Sequence, residues 1–183
     1  MVGVGRSETT RKVLVRCGLL IDGTPGPARR DAALLVASGR IAGVYESGSN
    51  TPAYDEVDEV VDFSTKTVMP GMIDAHVHLV FNPLDDHQKV VDDLLAADER
   101  ELTLRALRNA QAALAAGVTT LRDCGDKGFI TLSLKRAIDA GVVVGPRLWV
   151  CGPPLTTTAG HCHFLGGEAD TLDELVKSVR QHV

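Results

Sequence analysis

Apolar residues follow two rhythms along this chain, and the change falls near residue 67. Before it they come in short bursts, at residues 12–16, 32–36, 40–45 and 59–63. The bursts are separated by clusters of turn-forming residues at 22–27, 38–39 and 47–50. Short apolar runs bounded by Gly, Pro, Asp and Ser predict strands, and strands at this spacing predict a small sandwich. From Met72 onward a strand pattern alternates with a helix pattern, the mark of a parallel sheet. Residues 72–78, 118–124 and 147–151 read as its strands.

The helices between them carry recognisable ends. Residues 98–116 place Leu102, Ala106, Ala110, Ala113 and Leu114 on one face, with Asp98 as N-cap and Gly117 as stop. A second helix covers residues 130–140 and stops at Gly141. A last one starts at Thr171, paired with Glu174 three residues on as a capping box, and runs to Val183. Residues 83–97 form a polar connection with some helix. Residues 152–170 form a long loop, and long ordered loops in compact domains usually carry function. The reading is α/β, with residues 1–66 as a β-sandwich segment and residues 67–183 as three strand–helix units.

Charge narrows the partners. A formal charge of -5 argues against nucleic acid or an anionic membrane surface. Residues 1–17 lack the apolar core of a signal peptide, and no apolar run approaches a membrane span. Four cysteines at irregular spacing, Cys17, Cys124, Cys151 and Cys162, do not form a disulfide framework. Three of them fall in strand or strand-end patterns, where Cys acts as a small buried hydrophobe. A reduced, cytoplasmic protein is expected.

Histidine pairs carry the chemistry. Residues two apart on a strand share a face, so His76 and His78 present two imidazoles at the strand's C-terminal end. That arrangement suits one divalent metal, zinc being the commonest choice. Asp74, two residues earlier, either orients a ligand imidazole or bonds to Arg122. His161 and His163 repeat the spacing in the long loop among glycines, and are expected to line a substrate pocket. Asp123 is expected to be structural; His87, His182 and Lys177 are expected to be solvated. Nothing near Cys162 in sequence marks an activated thiolate.

These motifs carry a family resemblance. Val68-Met69-Pro70-Gly71-Met72-Ile73-Asp74-Ala75-His76-Val77-His78 resembles the opening of the metal-dependent amidohydrolase superfamily. Gly117-Val118-Thr119-Thr120-Leu121-Arg122-Asp123 resembles its second strand. Residues 156–170 are similar to a loop in the branch that holds Xaa-Pro and Xaa-Arg dipeptidase-like and imidazolonepropionase-like members. The resemblance implies a (β/α)8 TIM barrel, with a sandwich shared between N- and C-terminal segments. It implies one or two divalent ions, expected to be zinc, and hydrolysis of amide, peptide or cyclic amide C–N bonds. The family's further ligands, a Lys (often carbamylated), two His and an Asp, have no matching position in this sequence.

A whole barrel takes roughly 250 residues, so the stretch after residue 67 holds about three of its eight units. The chain therefore reads as the front part of an enzyme. Its expected partners are a small-molecule or dipeptide-like substrate and a complementary polypeptide carrying the remaining strands, or a second copy of itself. The rival reading is a catalytically inactive truncated relative, or a structural subunit of a split enzyme.

Overall fold

The computed structural model describes residues 11–46 and 49–182. The start of the predicted turn, Ser47 and Gly48, lies outside them, as do residues 1–10 and the predicted last helical residue, Val183. The chain divides into two compact units between Pro70 and Gly71.

The first unit is built from β1 (Lys12–Leu20), β2 (Arg29–Ala37), β3 (Arg40–Tyr45) and β4 (Glu59–Val68). They form one mixed sheet in the order β3-β2-β1-β4, with β1 antiparallel to β2 and parallel to β4. Three of the four strands outrun their apolar bursts, because the backbone ladder continues past them, through polar residues in β2 and β4 and through Cys17–Leu20 in β1. Gly18 sits at a register shift, where a Cβ would lie 2.2 Å from the carbonyl oxygen of Ser64. Cys17, Leu20 and Ala32 make a small core. Among the described residues this unit holds a single sheet, and a sandwich needs a second one.

The second unit contains β5 (Met72–Val77), β6 (Val118–Asp123) and β7 (Arg147–Val150), all parallel, with β6 in the middle. Helices α1 (His87–Ala96) and α2 (Glu99–Ala115) follow β5, α3 (Ile130–Asp139) follows β6, and α4 (Leu172–His182) follows the long loop after β7. This is the α/β alternation that the sequence predicts. The core gathers Leu79, Val80 and Leu94 with Leu102, Ala106 and Ala110 of α2, Leu121 of β6, Leu134 of α3 and Leu148 of β7.

The helix ends follow their caps. Asp98 Oδ1 accepts from the N–H groups of Arg100 (2.8 Å) and Glu101 (2.9 Å). A cap of this kind stabilises a helix by about 1 kcal/mol. Thr171 and Glu174 bond reciprocally, Glu174 Oε2 accepting from Thr171 N at 3.0 Å and Thr171 Oγ1 from Glu174 N at 3.3 Å. The apolar stripe of α2 lies inward as its spacing requires, and it also carries Arg105, almost wholly buried. A buried guanidinium must be paired. Arg105 donates to Asp93 at 2.6 Å, to Glu101 at 3.2 Å and to the Val80 carbonyl at 3.3 Å, tying α2 to α1 and to the chain leaving β5.

Two expectations change. Cys17 is buried and Cys124 half-buried, but Cys151, just past the end of β7, is exposed like Trp149 two residues before it. His182 is exposed yet engaged, its ring meeting the carbonyls of Ser178 (2.7 Å) and Pro153 (2.9 Å), so it links α4 to the loop after β7.

Candidate metal centre

His76 is the penultimate residue of β5, and His78 is the first beyond it. Their ring centroids are 5.3 Å apart, with 66° between the planes. Two imidazoles bound to one tetrahedral zinc have centroids about 5 Å apart, given the usual Zn–N length and bond angle. The pair therefore fits a shared ion. His78 is the more firmly held. Its Nδ1 lies 2.9 Å from the Gly125 carbonyl oxygen, which can only accept, so Nδ1 carries the proton and Nε2 keeps its lone pair. One face of the ring stacks on Phe81, with centroids 4.9 Å apart and 25° between planes. At Gly125 a Cβ would lie 3.4 Å from His78 Cε1 and 3.3 Å from Pro154, so a glycine lets this carbonyl come close.

His76 is exposed, and its ring meets the edge of His78. Asp74 reaches it through the backbone: Asp74 Oδ1 accepts from the His76 main-chain N–H at 3.1 Å. The carboxylate is thus engaged by the main chain, where the sequence suggested an imidazole or Arg122. The register of β5 against β6 shifts between Asp74 and Val77, and this interrupts the strict alternation on which that expectation rested.

Beneath the pair lies Asp123, the last residue of β6, fully buried. Its Oδ2 accepts from Leu79 N at 2.8 Å and its Oδ1 from Gly125 N at 3.0 Å. Burial pushes its carboxyl up to about 7, against the two N–H groups that favour the charged form; the nearby Asp126 charge adds to the rise and His76 opposes it. Asp126, also buried, accepts from both Thr131 N and Thr131 Oγ1 at 2.5 Å and so holds the start of α3. Its Oδ1 has no hydrogen-bond partner among the described residues.

The second histidine pair is differently placed. Cys162 between them adopts a left-handed backbone (φ 57°) and is buried, which pushes its thiol up and leaves it unactivated. His163 opens a single 3-10 turn, His163–Leu165, and its Nδ1 lies 3.1 Å from the Gly160 carbonyl. His161 is exposed. The loop is tied by Thr158 N to Asp170 (2.9 Å) and Ala159 N to Glu168 (2.7 Å). Phe164 connects it to the first pair: its ring lies 5.7 Å from His163, 6.2 Å from Phe81 and 6.3 Å from His87. His87, expected to be solvated, is exposed but also borders a cavity of about 610 Å³ with His78, Phe81, Pro83, Leu84 and Val90.

Sequence reasoning missed Gly125, Phe81, Phe164 and the bonds of Asp123. Only Asp123 carried a signal, as the end of the second-strand motif. Among the described residues no group of three or more His, Cys, Asp or Glu side chains converges on a metal site. No helix among them is long and apolar enough to cross a membrane.

Comparison with known proteins bears on this centre. Residues 67–183 match the amidohydrolase family. Ochratoxinase from Aspergillus niger is 29% identical over 158 residues, covering 86% of this chain and 32% of that protein. Imidazolonepropionase from a Bradyrhizobium species is 28% identical over 197 aligned positions, covering 91% of this chain and 48% of its own. The crystal structure of a Xaa-Pro dipeptidase with bound methionine in its active site superposes with a TM-score of 0.79 at 25% identity. That match takes in 93% of this chain and 44% of the dipeptidase. The chain thus spans less than half the length of the relatives it resembles.

Proposed function

The chain belongs to the amidohydrolase family, and on that premise we propose that it supplies the first metal ligands of a hydrolase acting on amide C–N bonds. The substrates in this reading are dipeptide-like molecules or cyclic amides, in keeping with the likeness to a Xaa-Pro dipeptidase and to imidazolonepropionase. His76 and His78 hold a divalent ion, zinc by the softness and geometry of imidazole donors. One observation carries this: two rings with centroids 5.3 Å apart, one of them fixed through Nδ1 on Gly125 so that Nε2 is free to bind.

When bound, the ion supplies Lewis-acid polarisation of an amide carbonyl and acidification of water. This chain's residues do the rest of what falls to it. Asp74 steadies the backbone of His76, Gly125 sets the tautomer of His78, and Phe81 keeps water from one face of that ring. His163, joined to this end through Phe164, offers an imidazole to a substrate carbonyl or carboxylate, and His161 is the second candidate for that contact. Three strand–helix units then form the opening of a TIM-type barrel, and the first unit one layer of a composite sandwich. A catalytic zinc takes three protein ligands. The others, and the general base, come from strands outside this sequence, carried by the same polypeptide, a complementary one or a second copy. The free cysteines suit a reducing cytoplasm.

The test uses the complete protein with any partner that co-purifies. Metal analysis should find zinc or a similar divalent ion. Hydrolysis should be detected with a panel of Xaa-Pro dipeptides, N-acyl amino acids and imidazolones, and chelation should abolish it. A metal-bearing protein inert on the whole panel would favour a non-catalytic role. A protein that excludes divalent metal would overturn the reading.

A further inference from the structure

We infer that Asp123 is a positioning residue for the metal ligand His78, acting on it through two main-chain bonds; this rests on the reading of His78 as a ligand. An imidazole is fixed when its backbone and its second nitrogen are both held. The N–H of Leu79, the residue directly after His78, donates to Asp123 Oδ2 at 2.8 Å. The N–H of Gly125 donates to Asp123 Oδ1 at 3.0 Å, and the carbonyl of that same Gly125 receives His78 Nδ1 at 2.9 Å. One buried carboxylate therefore grips both anchors of the ring, on two different strand ends.

The chemistry requires an acid here. Both partners are donors, so both oxygens must accept, and a carboxylate is the side chain of this size that offers two. Packing alone would not select it, because Leu121 of the same strand and Leu148 of its neighbour fill the adjacent core with hydrocarbon. A buried carboxylate is costly unless its bonds are needed. Partners that orient a ligand imidazole typically change metal affinity by 10–100-fold when lost.

Asp126 provides an internal control. It is equally buried and three residues along, but it bonds to Thr131 and not to either anchor of His78. In the complete protein, zinc affinity is measured by chelator competition for Asp123→Asn, Asp126→Asn and His78→Ala, with melting temperatures recorded alongside. Asp123→Asn should weaken zinc binding about 10–100-fold, and Asp126→Asn by less than about threefold at a comparable loss of melting temperature. In the unsubstituted, metal-free protein, nitrogen NMR should find His78 as the Nδ1–H tautomer, a measurement that needs no variant to fold. Unchanged affinity in Asp123→Asn, equal losses in the two Asp variants, or an Nε2–H tautomer would each overturn the inference. If His78→Ala itself keeps normal zinc affinity, the ligand reading fails and this inference with it. If His78→Ala loses zinc while Asp123→Asn does not, only the inference fails.

Discussion

The same three-residue pattern, His-x-His, occurs twice in this chain and folds into two different objects. His76 and His78 straddle the end of a strand, and their rings come to 5.3 Å. His161 and His163 flank a residue in left-handed conformation, where the alternation that would pair them is absent. In the first pair His78 is held from another strand end by the Gly125 carbonyl and stacks on Phe81, while His76 is held by Asp74 of its own strand. The second is held mainly by its own loop, through the Gly160 carbonyl and the bonds to Glu168 and Asp170. A spacing of two gives a metal site only where an extended backbone turns it into a shared side. On a turn the same residues become separate polar groups, which is why they are proposed to meet the substrate and not the ion.

The comparison breaks most readily at the first pair. His78→Ala should remove metal and turnover together, by more than the roughly 10–100-fold expected from losing an outer partner. His163→Ala should leave metal content unchanged. Metal analysis of both variants would reverse the assignment if His163→Ala lost the ion and His78→Ala kept it.

Gly167→Ala tests whether the second pair depends on its loop. Gly167 has φ of 81°, and a Cβ there would lie 2.3 Å from the Pro154 carbonyl oxygen. Strain of this kind costs on the order of 1–3 kcal/mol locally, so KM should rise by about five- to 150-fold with metal content intact. Equal kinetics in the variant would show that the loop does not meet substrate. For His163→Ala itself the expected rise in KM is about tenfold, the loss of one hydrogen bond of about 1.4 kcal/mol. His161→Ala should do less, since the aromatic contacts reach His163 through Phe164.

A separate effect, away from metal and substrate binding, is on stability against pH. The Asp123 carboxyl titrates near 7 in the folded protein against 3.8 as its ordinary value, so the folded state binds the extra proton. Its contribution is fully present below about pH 4 and is lost as pH rises through about 7. The melting temperature of metal-free protein should fall by up to about ten degrees across that window. Asp123→Asn should flatten the slope; an unaltered slope would assign it to other groups.

Much of this was legible in the sequence wherever the cause was local. The stripe of α2, its Asp98 cap, the Thr171–Glu174 box and the strand–helix rhythm rest on periodicity and on bonds between neighbours. The nearness of His76 and His78 rests on a spacing of two. Arg105 was not legible, because its partner Asp93 lies on another helix and the Val80 carbonyl in a loop. Nor was the bond of Asp74 to the His76 main chain legible, since it lies beside a register shift that belongs to the pairing with β6.

The sequence by itself determined that two imidazoles stand at the end of a strand, since a spacing of two on an extended backbone follows from chain geometry. Only the tertiary structure decided which nitrogen of His78 is free, because the Gly125 carbonyl that sets it is 47 residues away. The same holds for Asp123, whose bond to Leu79 spans 44 residues. Such contacts depend on how strands and helices pack, and neighbouring residues carry no local preference that encodes them.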